Sequence, residues 1–210
     1  MKIGGEYTFD GPRELVWEIL LDPTVLAQVL PGAESLERTG ENEYEGALRM
    51  KIGPIQGDFD GKVRLEDLDP PNGYTMRVDG TGAPGFVKAT GHLKLSADGE
   101  RTRMVYDGDA QVGGKLAAVG QRLIESSTRA IIAQSLEGLN AAVQARVAAA
   151  NAGGPAAVAA PLGLERPTQA EFAAGVAKQV AKDLIPAGAR KLIVPVAVIV
   201  VLLVVWLFMR

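Results

Sequence analysis

The chain has 210 residues, with 22 Lys and Arg, 25 Asp and Glu, one His and no Cys. The absence of Cys excludes a disulfide framework, a thiolate metal site and a catalytic thiol, and a single His excludes a zinc site built from several imidazoles. A net charge of −3 lacks the basic excess of a nucleic-acid-binding protein.

Residues 1–150 predict one strand, two short helices, a series of strands and a long helix, in that order. A strand over 2–9 precedes helices over 13–21 and from Asp22-Pro23 to Pro31-Gly32. Period-two alternation of apolar and polar residues then predicts strands over 33–38, 44–52, 57–66, 74–79, 86–95 and 102–112. A proline-free stretch from Gly114 to about Ala150 predicts the long helix, whose apolar side includes Leu116, Val119 and Leu123.

This order predicts an α+β fold in which a curved antiparallel sheet of six to seven strands wraps around the long helix. The apolar face of such a sheet needs a cover, and the long helix is the only large one available. Glycines and alanines at inward positions leave space that adaptable Met side chains suit. The alternative is that the glycines serve sheet curvature alone. The predicted cavity residues are Phe59, Gly61, Val63, Met76, Val78, Phe86, Gly91, Leu93, Met104, Tyr106 and Leu123.

No catalytic or metal-binding set emerges from the remaining motifs. The run from Gly80 to Gly85 matches a dinucleotide-binding fingerprint, but that motif requires a helix to follow it, and here a strand follows. We therefore expect a flexible loop between two strands. Its functional interpretation is a gate at the mouth of the cavity. His92 belongs to the polar face of its strand, and Asp58 and Asp60 share a solvated strand face. We therefore predict no catalytic residue and no metal site.

A glycine-rich segment joins the last strand to the long helix. Glycine supplies unusual backbone angles at a tight junction, and the same junction is a candidate docking face for a partner protein. The sequence leaves both interpretations open. The predicted docking residues are Asp109, Gln111, Gly113, Gly114 and Lys115.

The last sixty residues differ from the rest in charge and composition. Residues 1–150 have a net charge of −6, whereas 151–210 have a net charge of +3. The segment 151–167 is rich in Ala, Gly and Pro and is predicted to be a flexible linker. A capping-box pattern then opens an amphipathic helix over 168–185, which packs either on an anionic membrane surface or on its own domain.

Residues 192–209 form an uninterrupted apolar run of 18 residues. As a helix the run spans ~27 Å, close to the ~30 Å of bilayer hydrocarbon. Arg190 and Lys191 precede Leu192, and Trp206 lies near the far end, where an indole suits the interface. The N-terminus has no apolar signal region. We therefore expect a single-pass tail anchor in the cytoplasmic membrane, with the folded domain facing the cytoplasm.

Four stretches carry a resemblance to a known family: Phe9–Trp17, Leu30–Gly32, Gly53–Gly57 and, most specifically, Gly108–Leu123. They resemble the CoxG family of carbon monoxide dehydrogenase subunits. The element order resembles the helix-grip, START-like (SRPBCC, Bet v 1-like) superfamily of hydrophobic-ligand proteins. The resemblance covers about residues 1–147.

The resemblance implies a non-catalytic accessory protein. Its expected partner is a CO dehydrogenase-type molybdenum hydroxylase, which it would recruit to the membrane. Its expected ligand is a quinone, such as menaquinone or ubiquinone, or another prenyl lipid. The rival interpretations are a pure anchor or assembly factor without a ligand, and an enzyme such as a cyclase or hydrolase on the same fold.

Overall fold

The computed structural model describes residues 1–152 of the chain. It contains helices α1 (Arg13–Leu21), α2 (Pro23–Val29) and α3 (Gln121–Asn151). Its strands are β1 (Lys2–Phe9), β2 (Ala33–Arg38), β3 (Glu43–Ile52), β4 (Ile55–Asp69), β5 (Gly73–Gly82), β6 (Gly85–Asp98) and β7 (Arg101–Gly114). The predicted linker beyond residue 152, the helix predicted over 168–185 and the span predicted over 192–209 lie outside the described residues.

The seven strands form one antiparallel sheet in the order β1-β7-β6-β5-β4-β3-β2. Strands β2 to β7 are joined as successive hairpins, and β1 pairs with the outer edge of β7, so the first and last strands are neighbours. The α+β prediction of a curved antiparallel sheet with a long C-terminal helix is confirmed. Because side chains alternate along each strand, one face of the sheet is directed at α3 and the other at solvent.

The larger core cluster lies where α1, α2 and the C-terminal part of α3 meet β1, β6 and β7. Phe9 and Val143 are fully buried in it, and Met104 is 2% exposed. Gly138 on α3 lies against Val29 of α2, because a Cβ there would stand 2.9 Å from the Val29 Cβ. The short helices therefore hold the far end of α3 against the sheet.

The long helix begins later than predicted, and residues before it belong to a second, smaller core cluster. Gly114 and Gly120 both have positive φ, 75° and 92°, and a short 3-10 helix (Ala117–Val119) lies between them. A residue in this conformation interrupts an α-helix, so α3 begins at Gln121 and not at Gly114. Leu116, predicted on the long helix, is instead buried against Ile52 and Phe59.

The segment expected to be a flexible loop is a tight hairpin. Strand β5 continues to Gly82 and β6 begins at Gly85, which leaves a two-residue turn of Ala83 and Pro84. The Leu116 amide donates a hydrogen bond to the Pro84 carbonyl at 2.9 Å. The prediction of a flexible loop is therefore wrong, because strand pairing extends through these glycines and the turn is tied to the segment before α3.

Four hydrogen bonds hold the end of β1. The Asp10 amide donates to Asn140 Oδ1 at 2.8 Å, and Asn140 Nδ2 and Gln144 Nε2 donate back to Asp10 Oδ2 at 2.9 and 2.8 Å. Fully buried Thr102 donates its hydroxyl to the Gly11 carbonyl at 2.7 Å. These contacts connect the first turn to α3 and to β7.

The outer face of the sheet carries cross-strand ion pairs. Lys62 contacts Glu45 at 2.8 Å, and Arg49 contacts Asp58 at 2.7 Å. All four side chains are exposed to solvent, so each pair contributes ~0–1 kcal/mol. Among the helices of residues 1–152, none has the length and apolar character needed to cross a bilayer.

Candidate functional site

A cavity of about 230 Å³ lies between the inner face of the sheet and α3. We call it the inner cavity. Its lining residues are Ile3, Tyr74, Met76, Ala89, Thr90, Gly91, His92, Leu93, Met104, Tyr106, Asp107, Gly108, Asp109, Ile132 and Leu136. Thr90, His92, Asp107 and Asp109 alternate toward the outer face, so the side chains directed inward are apolar apart from two phenols.

Strand register arranges the inward residues in rows across the sheet. One row runs from Tyr74 through Leu93 to Tyr106. The next row is Met76, Gly91, Gly108 and Ile3, on β5, β6, β7 and β1. The two glycines form a floor of bare backbone, Met76 and Ile3 stand at its sides, and Ile132 and Leu136 of α3 lie above it. The space therefore exists because two neighbouring strands lack side chains at the same level.

The two phenols of the cavity are held neutral by their surroundings. Burial, with a smaller contribution from Tyr44, raises the pKa of Tyr74 well above its usual value, because the ionised form would lose its hydration. Burial also raises the pKa of Tyr106. Trp17 of α1 packs edge-on against Tyr74, with ring centroids 5.8 Å apart. Both tyrosines are therefore uncharged hydrogen-bonding groups at neutral pH.

Five of the residues predicted for the cavity line it: Met76, Gly91, Leu93, Met104 and Tyr106. Gly61, Val63 and Val78 lie on the inner face beside this cavity and not in its lining. Phe59 and Leu123 belong to the smaller core cluster.

Phe86 is a correction, because it lies on the outer face and is 40% exposed. Its ring covers Gly113, where a Cβ would stand 2.2 Å from a ring carbon. The signal was present in the sequence, since Phe86 has the same parity as outward Lys88 and His92.

Six of the inward-facing lining residues were not among the predicted site residues: Ile3, Tyr74, Ala89, Gly108, Ile132 and Leu136. Tyr74 shares the parity of Met76, so strand alternation could have identified it. Ile132 and Leu136 are four residues apart and thus on one side of α3, which is a weaker signal because many pairs on a long helix share it. Ile3 reaches the site only because β1 pairs with β7.

The predicted docking residues lie at the end of β7 and just beyond it. Asp109 and Gln111 are exposed on the outer face of the strand. Gly113 is covered by Phe86, Gly114 adopts φ 75° where the chain leaves the strand, and Lys115 is exposed. Their role in docking stays a prediction.

His92 and Asp58, two of the polar residues considered from the sequence, make contacts on the outer surface of the sheet. His92 is exposed, and its Nδ1 lies 3.1 Å from the Thr75 hydroxyl on the outer face. Asp58 contacts Arg49, which lowers the pKa of the carboxyl. Among residues 1–152, no group of three or more His, Asp or Glu is placed to hold a metal ion.

A larger depression of about 490 Å³ lies on the outer face of β2 to β5. Its lining includes the exposed Lys62–Glu45 pair together with Glu37, Asp60 and Asp79. Charged and solvated walls do not suit an apolar guest. The inner cavity is therefore the candidate binding site.

Comparison with known proteins assigns the chain to a family. The family model for CoxG, a subunit of carbon monoxide dehydrogenase, matches residues 5–144, which is two thirds of the chain. The chain belongs to the CoxG family. The resemblance inferred from four short stretches is thereby confirmed, and the family is one of accessory proteins of carbon monoxide dehydrogenase. No curated protein sequence matches the chain.

Solved structures share the fold. A conserved protein from Geobacillus kaustophilus is 33% identical, with a TM-score of 0.66, over 69% of this chain and 95% of that protein. The Zhui aromatase/cyclase from Streptomyces sp. R1128 is 20% identical, with a TM-score of 0.57, over 71% and 97% of the two chains. Ara h 8.0201 is 13% identical, with a TM-score of 0.52, over 69% and 97%. The last two likenesses concern the fold alone.

Proposed function

We propose that this CoxG-family protein binds the ring of a prenyl quinone in the inner cavity and presents it to a CO dehydrogenase-type molybdenum hydroxylase at the cytoplasmic membrane. The observation that carries the proposal is a cavity between α3 and a glycine floor, with apolar side chains on all its inward positions except two neutral phenols. The protein itself performs no redox chemistry in this proposal. It moves or presents the molecule that accepts the electrons of the enzyme.

The volume of the cavity favours a ring over a whole lipid. An apolar cavity of ~150 Å³ is large enough for benzene, and sites that enclose a drug-sized molecule have ~300–1,000 Å³. At about 230 Å³ the inner cavity accommodates a ring system of one or two fused rings. The isoprenoid tail of a quinone would then extend along the mouth of the cavity toward the bilayer.

The solubility of prenyl quinones gives such a protein a purpose. Each CH₂ group removed from water is worth ~0.8 kcal/mol, so a long isoprenoid does not leave the bilayer unaided. A binding domain attached to the membrane by a flexible linker would work at high effective concentration close to the bilayer surface. In the proposal, this attachment is the apolar run over 192–209, which Arg190 and Lys191 precede.

Ligand binding is tested by native mass spectrometry of the full chain purified in detergent from cells that make quinone. We expect a stoichiometric prenyl quinone, lost in Gly91→Leu and retained in Gly61→Leu. Position 91 lines the cavity and has room for a Cβ, with its nearest neighbour at 3.6 Å, whereas Gly61 lies outside the lining. An empty wild-type chain, or a ligand held equally by both variants, would leave the anchor without a ligand as the better account.

Membrane recruitment is tested by fractionating cells that express the enzyme with either the full chain or a chain ending at residue 152. We expect the enzyme to sediment with membranes only alongside the full chain. Circular dichroism of the shortened chain serves as the control for folding. Enzyme that remains membrane-bound with the shortened chain would contradict the role of the tail.

A further inference from the structure

Tyr74 has a hydroxyl that no residue of the described chain uses. Among residues 1–152, Tyr44 donates its hydroxyl to the Leu21 carbonyl at 3.2 Å, whereas the Tyr74 hydroxyl makes no hydrogen bond. The residue is half-buried, and its hydroxyl is not among the fully buried polar atoms of residues 1–152 that lack a partner, so the oxygen remains accessible to a bound molecule. The phenol lines the inner cavity, where a ligand is the available partner.

The second phenol of the cavity is placed differently. The Tyr106 ring lies over Gly5 of β1, because a Cβ at Gly5 would stand 2.7 Å from the Tyr106 hydroxyl oxygen. Its hydroxyl is therefore directed at the edge strand. Tyr74 lies two strands away on β5, with its ring held edge-on by Trp17. Rigid packing of the ring fixes where the Tyr74 hydroxyl can donate.

The charge of the lining restricts the ligand further. No Lys or Arg lines the inner cavity, and its two carboxylates, Asp107 and Asp109, alternate outward. A fatty acid or a phosphate-bearing lipid would bury its anionic head there without a cation, which is strongly unfavourable. The matching ligand is neutral and carries an acceptor oxygen on an otherwise apolar ring.

We propose that Tyr74 is the residue that orients the ligand, by donating its phenolic hydrogen to a ring carbonyl in the inner cavity. The specificity of the site is then for a ring ketone or quinone over a hydrocarbon of the same shape. This inference rests on the proposed function, since it requires that the cavity binds a ring at all. It adds the residue and the functional group that select that ring.

The test compares two probes of the same shape on the full chain in detergent. Menadione carries the quinone carbonyls, and methylnaphthalene is the ring-matched hydrocarbon. Affinities are measured by titration calorimetry for wild type, Tyr74→Phe, Tyr106→Phe and Gly91→Leu. Tyr7→Phe is the matched control, because Tyr7 packs against Phe9 outside the cavity lining. Partition into micelles cancels in the ratios between variants.

We expect Tyr74→Phe to lower the affinity for menadione ~2- to 12-fold, which corresponds to the loss of one neutral hydrogen bond. The affinity of Tyr74→Phe for methylnaphthalene should equal that of wild type. Tyr7→Phe and Tyr106→Phe should bind both probes with wild-type affinity. If Tyr74→Phe weakens both probes equally or neither, or if Tyr106→Phe carries the loss, the assignment is wrong while ring binding stands. If wild type binds neither probe, or Gly91→Leu binds both normally, the proposed function itself fails.

Discussion

Gly91 and Gly108 face each other across β6 and β7, yet only one of them has room for a side chain. A Cβ at Gly91 would meet nothing closer than the Asp107 carbonyl oxygen at 3.6 Å. A Cβ at Gly108 would stand 2.5 Å from the Thr90 carbonyl oxygen and 2.9 Å from the Gly91 Cα. Backbone atoms cannot move aside as a flexible side chain can, so the sheet at this point requires glycine on β7 alone.

The two glycines therefore differ in their tolerance of alanine. We expect Gly108→Ala to lower the free energy of unfolding by ~1–3 kcal/mol through steric strain. Gly91→Ala should be neutral or stabilising by up to ~1 kcal/mol, because alanine restricts the unfolded chain. Denaturant titrations with unchanged m-values provide the measurement. Equal effects at the two positions would contradict the packing described here.

The Asp10–Asn140 contact predicts a loss of stability in acid. Hydrogen bonds from Asn140 and then Gln144 lower the pKa of Asp10. A carboxyl whose pKa is lower in the folded than in the unfolded state stabilises the fold above the unfolded value of ~3.9, and this contribution disappears as the pH falls through the folded pKa.

Asn140→Ala should thus lower the stability at pH 7, and the difference from wild type should shrink below about pH 4. Urea titrations across this range measure it. Ala141→Gly provides a comparison at the adjacent exposed position, where a helix-propensity cost without pH dependence is expected. A difference that stays constant into acid would show that Asn140 acts through the Asp10 amide or through packing, and not through the Asp10 carboxylate.

Thr102 predicts the worth of one buried hydrogen bond. Its hydroxyl donates to the Gly11 carbonyl at 2.7 Å, and the residue is fully buried. Thr102→Val preserves the shape but leaves that carbonyl without its donor, so we expect a loss of ~1–3 kcal/mol in the free energy of unfolding. Thr102→Ser keeps the donor and loses a methyl group, at a cost of ~0.8 kcal/mol. If Thr102→Ser is more destabilising than Thr102→Val in thermal or chemical unfolding, the side chain stabilises the fold mainly through packing of its methyl group.

The buried phenols predict a loss of stability in alkali. Burial raises the pKa of Tyr74, and also those of Tyr7 and Tyr106, above the unfolded value of ~10. The stability that these neutral phenols contribute is fully present below that value and is lost as the pH rises toward the folded pKa.

Above about pH 10, the free energy of unfolding should therefore fall less steeply with pH in Tyr74→Phe than in Tyr106→Phe. Urea titrations from pH 9 upward, with phenolate absorbance as a second signal, make the comparison. For the same reason, the affinity for menadione should not change between about pH 6 and 9, since Tyr74 remains protonated throughout. A change in the affinity for menadione within that pH range would show that an ionising group controls binding.

Most elements can be located from the sequence because their signals are local. Alternation in β4 places Phe59 and Leu65 inward with charged residues between them, and the structure agrees. The pattern of apolar residues predicts the start of the long helix too early, because Gly120 adopts a left-handed conformation that composition does not reveal. The glycines around Ala83 and Pro84 indicate a flexible loop, whereas the pairing of β5 with β6 that fixes this turn depends on residues far from it in sequence.

The order of elements, the inward parity of each strand and the apolar run over 192–209 were determined by the sequence itself. Each depends on the spacing of residues along the chain, which covalent geometry converts directly into a face or a length. The tertiary structure decided where the cavity lies. Gly91 and Gly108 create space only because cross-strand register places them side by side, and Tyr74 and Ile132 meet there only because α3 crosses the same rows. Proximity between distant segments is a property of the packed chain, so no local pattern encodes it.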